Sequence, residues 1–206
     1  MDYQFRVLEE KEVYRGFFKL RRYQIDFELF PGGLSGAVMR ECSGSTGFVV
    51  AALPYDPQRE EFVFVEQFRI GAMVAGHHPW QLEIVAGFMD KPGETPEECL
   101  QRELNEEIGT TAQSLTHVST YFTSPGGSPA QTHFYFAEVD ASQCATYTGL
   151  LEEGEDILVH RVPYRTAYRW LRDGQVKNAT MMLALQAFLL QQEDRVAAAF
   201  SGIDNT

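Results

Sequence analysis

A mixed α/β fold, with strands outnumbering helices and an antiparallel strand appendage at the N-terminus, is the class this 206-residue sequence predicts. Three observations carry it. Short runs rich in β-branched and aromatic residues recur between turn signals; residues 96 to 108 carry helix start and stop signals at both ends; and 44% of the chain is apolar. That is enough side chain for a packed core and too much for a disordered or fibrous polymer. A chain of this length buries roughly 70% of its unfolded surface, which suits one main domain with a small appendage and leaves two large domains cramped.

The elements follow in chain order. The stretch YRGFFKLRRYQIDFEL from Tyr14 to Leu29 is aromatic-rich and alternates in part, and the turn-rich PGGLSG at 31–36 and CSGSTG at 42–47 bound further extended chain. Residues 1–45 therefore read as a region of hairpin strands standing apart from a main domain over 46–206. Within that domain, 48–54 (FVVAALP) and 62–68 (FVFVEQF) read as buried strands around the turn Tyr55-Asp56-Pro57-Gln58. Further strands are expected at 81–86, 115–122, 132–138 and 157–162, with helices at 96–108, 164–173 and 180–199. The 96–108 helix is the best marked. Thr95 is an N-cap, Pro96 occupies the first helical position, Glu98 completes a capping box and Gly109 is placed to stop the helix.

Charge narrows the function classes. With 17 Lys and Arg against 29 Asp and Glu, the formal charge is −12; such a chain has no cationic surplus to displace the counterions of a nucleic acid. A polynucleotide partner is not expected. A small anionic substrate remains compatible if metal cations bridge it to acidic side chains. Cys42, Cys99 and Cys144 are odd in number and form no C-x-x-C pair, so neither a disulfide framework nor a zinc ribbon is predicted, and reducing cytoplasm is the expected compartment. Neither an export signal nor a membrane-spanning run is read from the sequence.

On the 96–108 helix, Leu100, Leu104 and Ile108 form an apolar stripe, and Glu103, Glu106 and Glu107 fall on the stripe beside it. Like charges three and four residues apart repel, and placing them next to the core adds a desolvation cost that a purely structural helix would avoid. Arg102, four residues before Glu106, satisfies one carboxylate and cannot neutralise all. Two readings stand on helix geometry alone: a solvated acidic face, or an all-oxygen site for Mg²⁺ or Mn²⁺ facing phosphate.

The segment from Gly87 to Thr110, GFMDKPGETPEECLQRELNEEIGT, resembles the Nudix box, in which G, five residues, E and seven residues precede R-E-apolar-x-E-E-x-G. The R-E-L-N-E-E-I-G half matches in full and Glu94 is correctly spaced from Arg102; six residues rather than five separate Gly87 from Glu94, a longer loop expected to bulge at Pro92-Gly93. Residues 14–18 (YRGFF), 66–69 (EQFR), 79–87 (PWQLEIVAG), 124–127 (SPGG) and 153–157 (EGEDI) extend the resemblance to the bacterial ADP-ribose pyrophosphatase branch.

That resemblance implies a Nudix fold, a mixed sheet between helices, and hydrolysis of ADP-ribose to AMP and ribose 5-phosphate in a homodimer whose N-terminal strands reach across to the partner. It implies two or three Mg²⁺ ions, Mn²⁺ being a possible substitute, held by Glu103, Glu107, Glu155 and the main-chain carbonyl of Ala86. Glu153 matches the general base, with Glu106 as the alternative, and Phe17, Phe18, Arg40, Arg69, Phe88 and Ser124 match substrate contacts. For the Phe17-Phe18 pair, core packing of at least one ring is the commoner role. Ala130 stands where relatives commonly carry a substrate-contacting glutamate, which puts substrate choice in doubt more than catalysis. Hydrolysis of another nucleotide sugar such as GDP-mannose is the nearest rival. From a different class, a nucleotide-sugar sensor without catalysis is disfavoured, because Glu103, Glu106, Glu107, Glu153 and Glu155 are all present and no basic, DNA-binding region accompanies them. His77-His78 reads as surface loop, Cys99 as a small buried residue, and Trp170 with the Met181 to Leu189 stripe as core or dimer contacts.

Overall fold

Alternation along three strands explains how one sheet comes to be covered on both sides. In the computed structural model, which describes residues 3–44, 47–150, 152 and 154–201, with side chains through 191, the chain divides into two compact units. One comprises Val50–Ser119 and His133 onward, the other the N-terminus to Val49 with Thr120–Thr132. The larger unit holds most of an eight-stranded sheet in the order β10 (Tyr147–Thr148), β11 (Ile157–Pro163), β5 (Glu61–Phe68), β4 (Phe48–Asp56), β9 (Gln131–Glu138), β8 (Ser114–Phe122). Two short strands, β6 (Trp80–Glu83) and β7 (Val85–Phe88), pair with β5 and β4 off that path.

Val50, Ala52, Val63, Val65, Tyr135 and Ala137 point to one face, where Leu100, Leu104 and Ile108 of α2 (Pro96–Ile108) pack among them, all fully or almost fully buried. Side chains one position along, such as Phe62, Phe64, Phe134 and Phe136, take the other face. There Phe62 and Phe136 meet Phe188 of α4 (Ala179–Ser201) edge to face at centroid separations of 5.1 and 5.2 Å. Tyr164 of α3 (Tyr164–Arg172) lies 4.3 Å from the Phe62 ring, and Met181, Leu185 and Phe188 are buried. Each such aromatic contact adds roughly 1 kcal/mol to the area it buries.

The expected elements are present with small shifts. Residues 81–86 do not form one strand: the chain breaks at Ile84 between β6 and β7, because β6 pairs with β5 and β7 with β4. A short apolar run carries no signal for such a change of partner. Helix α1 (Ile70–Val74) was not anticipated from IGAMV, which buries none of its residues and so shows no helical periodicity. The α2 boundaries follow the sequence signals. Thr95 Oγ1 accepts from the Glu98 N–H, Glu98 Oε2 accepts from the Thr95 N–H, and Gly109 closes the helix at φ 73°, where a side chain is strained.

The smaller unit is built on an antiparallel sheet, β1 (Phe5–Arg15), β2 (Lys19–Phe27) and β3 (Val38–Ser43). All eleven residues of β1 are exposed, Phe5, Val7, Leu8 and Tyr14 among them. Asp26 on β2 is buried and takes an ion pair from Arg6. No helix among the described residues is long and apolar enough to cross a membrane.

Candidate active site

The Glu103 and Glu107 side chains do not lie on a solvated face. Both are buried, Glu107 at 4% exposure, where α2 crosses β7. Burial comes from register: four residues apart on a helix whose core stripe is full, they sit against the strand that α2 packs on. Ala86 donates its N–H to Glu107 Oε2 at 3.2 Å. A Cβ added to Gly87 would come within 1.9 Å of the Glu103 carboxyl carbon, so only glycine leaves this carboxylate its place. Desolvation pushes the Glu107 carboxyl up to about 8; the Ala86 N–H pulls it back, the charges of Glu103 and Glu155 push it further, and Arg69 opposes them. Glu103 is raised too, first by desolvation, against the pull of Arg102 and with Glu106 and Glu155 adding to the rise.

Arg102 gathers the remaining carboxylates. Its Nε and Nη2 fork onto Glu94 at 3.1 and 3.2 Å, and its Nη1 reaches Glu103 at 2.6 Å and Glu106 at 3.3 Å. It therefore hydrogen-bonds three carboxylates rather than the one foreseen, with Asp90 a fourth ion-pair partner at 3.6 Å, and Glu94 in the loop before the helix is its main partner. The longer loop turns at Gly93, φ 81°, without disturbing the cap at Thr95.

Glu155, whose charge is felt by Glu103 and Glu107, sits in a tethered loop. Thr148 Oγ1 donates to the Glu107 carbonyl at 2.6 Å, and the Glu155 N–H donates to Leu150 at 3.1 Å. Gly149, at φ 95°, leaves no room for a Cβ, which would lie 2.8 Å from the Glu155 carbonyl oxygen. Glu153, the expected base, lies outside the described residues. Arg69 is clamped by Glu83, its Nε and Nη2 donating to Glu83 Oε2 at 2.9 and 2.7 Å, while Asn178 Nδ2 donates to Glu83 Oε1 at 3.0 Å. Glu83, which no sequence signal singled out, fixes the Arg69 side chain; its neighbourhood with Arg69 arises from the β5–β6 pairing, which no local pattern encodes. Phe88, at the end of β7, is exposed.

The NUDIX domain family matches residues 45–146, and an ADP-ribose pyrophosphatase of Haemophilus influenzae is 41% identical over 183 residues, covering 87% of this chain and 83% of that protein. The chain belongs to the Nudix family. An ADP-ribose pyrophosphatase of Escherichia coli K12 is 37% identical over 187 residues, covering 91% of the chain and 88% of that protein. A GDP-mannose pyrophosphatase of Pectobacterium atrosepticum is 28% identical over 186 residues, covering 90% and 94%. The crystal structure of an ADP compounds hydrolase shares the fold, with a TM-score of 0.72 at 20% identity over 93% of this chain and 96% of that one.

A Nudix site takes divalent cations, and the donor set fits them. Glu103 and Glu107 offer only oxygen and sit buried, and both are raised, first by desolvation and then by neighbouring carboxylates; a hard cation held there would relieve that cost. As they stand, no three acidic, histidine or cysteine side chains among the described residues are gathered closely enough to hold an ion, and Arg102 holds Glu103 Oε1.

The other expected contacts of the Nudix chain, Phe17, Phe18, Arg40 and Ser124, belong to the smaller unit. Neither Phe17 nor Phe18 is core: they are 87% and 61% exposed in the β1–β2 turn, and their rings pack on each other at 5.0 Å. Three intervening residues leave a turn too short to fold a side chain inward. Arg40 on β3 lines a cavity of about 420 Å³ with Lys19, Arg21 and Tyr23 and with Pro125 and Gly126 of the 124–127 turn. Ser124 closes that turn, its carbonyl accepting from Gly127 and Ser128. His77 and His78 are exposed and Cys99 is buried, its thiol pushed up to about 12 by desolvation.

Proposed function

We propose that the chain hydrolyses ADP-ribose to AMP and ribose 5-phosphate. The observation that carries the reading is the buried Glu103–Glu107 pair on a capped helix against Ala86, in a chain whose relatives at 37–41% identity are ADP-ribose pyrophosphatases. Glu103, Glu107, Glu155 and the Ala86 carbonyl would hold about two or three Mg²⁺ ions, or Mn²⁺ in their stead, which when bound neutralise charge growing on the diphosphate. Arg69, preset by Glu83, holds a phosphate oxygen, and Arg40 is a second candidate for that role; forked guanidinium donors suit a diphosphate. Phe17 and Phe18 offer exposed faces to the adenine, and Phe88 and Ser124 contact the substrate. Glu153 takes the proton from the attacking water. Glu106 is the second candidate base, half-exposed and held by Arg102 at 3.3 Å.

The division into an N-terminal strand region, 1–45, and a catalytic domain, 46–206, belongs to the same proposal. So does a homodimer covering the exposed β1 strand: eleven exposed residues including large apolar ones are costly to leave in water. A cytoplasmic location agrees with three free cysteines. Ala130 favours one second reading, hydrolysis of GDP-mannose or another nucleotide sugar. Steady-state hydrolysis of ADP-ribose, ADP-glucose, GDP-mannose and NADH in Mg²⁺ tests the choice. ADP-ribose should rank first in kcat/KM; another substrate leading it by about tenfold, a gap that a few substrate contacts can set, rejects the reading, and tight ADP-ribose binding without AMP release makes the domain a sensor.

A further inference from the structure

Both tryptophans of the chain, Trp80 and Trp170, line one cavity that the catalytic reading does not use. Its volume is about 420 Å³, and its other walls are Leu82, Val176 and Met181, two amides, Gln81 and Gln175, and one cation, Lys177. All lie in the larger unit: Trp80, Gln81 and Leu82 on β6, Trp170 on α3, Gln175, Val176 and Lys177 in the α3–α4 connection and Met181 on α4. Trp80 is half-exposed and steadied edge to face by Phe68 at 5.7 Å and by the tilted ring of His78 at 5.5 Å, so its ring is held rather than free to turn. Lys177 Nζ donates to the Gly174 carbonyl at 2.8 Å, which fixes the ammonium and leaves its other two N–H groups to spare. Gln81 spends its amide nitrogen on the His78 carbonyl, leaving its own carbonyl oxygen as acceptor.

We propose that this cavity is a second nucleotide site, taking a nucleoside monophosphate. Indole walls favour a planar heteroaromatic ring, amides match the donors and acceptors of a base edge, and a single ammonium matches one phosphate. The volume lies in the range of small-ligand pockets. A purely apolar ligand would waste the cation and both amides, and a bare anion would leave the indoles without a partner.

The two tryptophans make the test direct. The full chain, with divalent ions chelated so that nothing is turned over, is titrated with AMP while indole emission is followed by excitation beyond adenine absorption. AMP should change the emission saturably, adenosine should do so about tenfold more weakly through loss of one charge-assisted contact, and inorganic phosphate alone should not. Lys177→Ala should weaken AMP to the level of adenosine and leave adenosine unchanged; Lys177 is exposed, and a melting curve checks that the variant is folded. Because Asn178, next to Lys177, is bonded to the Glu83 that clamps Arg69, a signal arising at the diphosphate site has to be separated. Replacing Phe17 and Phe18 together by alanine does this, because those exposed rings are the proposed adenine contacts of the diphosphate site: the titration should be unchanged there even though ADP-ribose turnover falls, so the site stands or falls independently of the ADP-ribose reading. No saturable change with AMP, full response to phosphate alone, indifference to Lys177→Ala, or loss of the response in the Phe17→Ala, Phe18→Ala variant each overturns the proposal.

Discussion

Replacing Glu107 with glutamine should make the metal-free protein more stable in alkaline solution while abolishing turnover. The carboxyl is 4% exposed and pushed up to about 8 from an ordinary 4.5. A raised carboxyl binds its proton more tightly in the folded state, so the stability it contributes is complete below about pH 4.5 and lost as pH rises through about 8. Fully ionised in place, it would cost the fold at most about 5 kcal/mol; side-chain relaxation and water entry reduce this to an expected ~2 kcal/mol. Glutamine removes the charge, keeps the shape and keeps an oxygen to accept the Ala86 N–H. For a chain of this size that gain corresponds to a rise in Tm of about 4–8 °C near pH 8.5, shrinking toward zero near pH 4.5, where the wild-type carboxyl is protonated. Calorimetric melting in chelator at the two pH values measures it. Adding Mg²⁺ should raise the wild-type Tm more than the variant's. Equal stability of the two proteins in alkaline chelator, or a gain that does not depend on pH, would refute the placement of an ionisable, uncompensated Glu107 in the core. The same variant should lose at least ~10²-fold in kcat with Mg²⁺.

Three further substitutions probe the neighbours. Gly87→Ala places a Cβ on the Glu103 carboxyl and should lower kcat about tenfold or more through its displacement, with circular dichroism showing the fold intact; full activity would mean that Glu103 is free to move. Arg102→Ala leaves Glu94, Glu103 and Glu106, and Asp90 at their edge, without their shared cation and should cost about 3 kcal/mol in urea unfolding, whereas a loss under ~1 kcal/mol would mark the network as surface-like. Glu153→Gln should depress kcat more than it changes KM if this side chain takes the proton from water; unchanged kcat moves the base to Glu106.

How much was legible in the chain differs by element. Helix α2 could be bounded to the residue because its signals are local: a capping threonine, a reciprocal glutamate and a terminal glycine act on backbone groups within four positions. Its acidic stripe was equally plain, but whether that stripe faced water or protein was undecidable from periodicity, since two adjacent stripes of one helix differ only in what packs on them. The strands were found by their apolar alternation; the break at Ile84 was not, because strand partners are chosen across the sheet.

Local chemistry in the sequence by itself determined the α/β class, the limits of the glutamate helix and its Nudix pattern, each a matter of neighbours within a turn or two of chain. Tertiary structure alone decided that Glu103 and Glu107 are buried, that Arg102 hydrogen-bonds three carboxylates, that Glu83 presets Arg69, and that two tryptophans ninety residues apart share a cavity. The reason is physical: burial and charge pairing depend on which surfaces meet, and those contacts join residues that no short-range pattern relates.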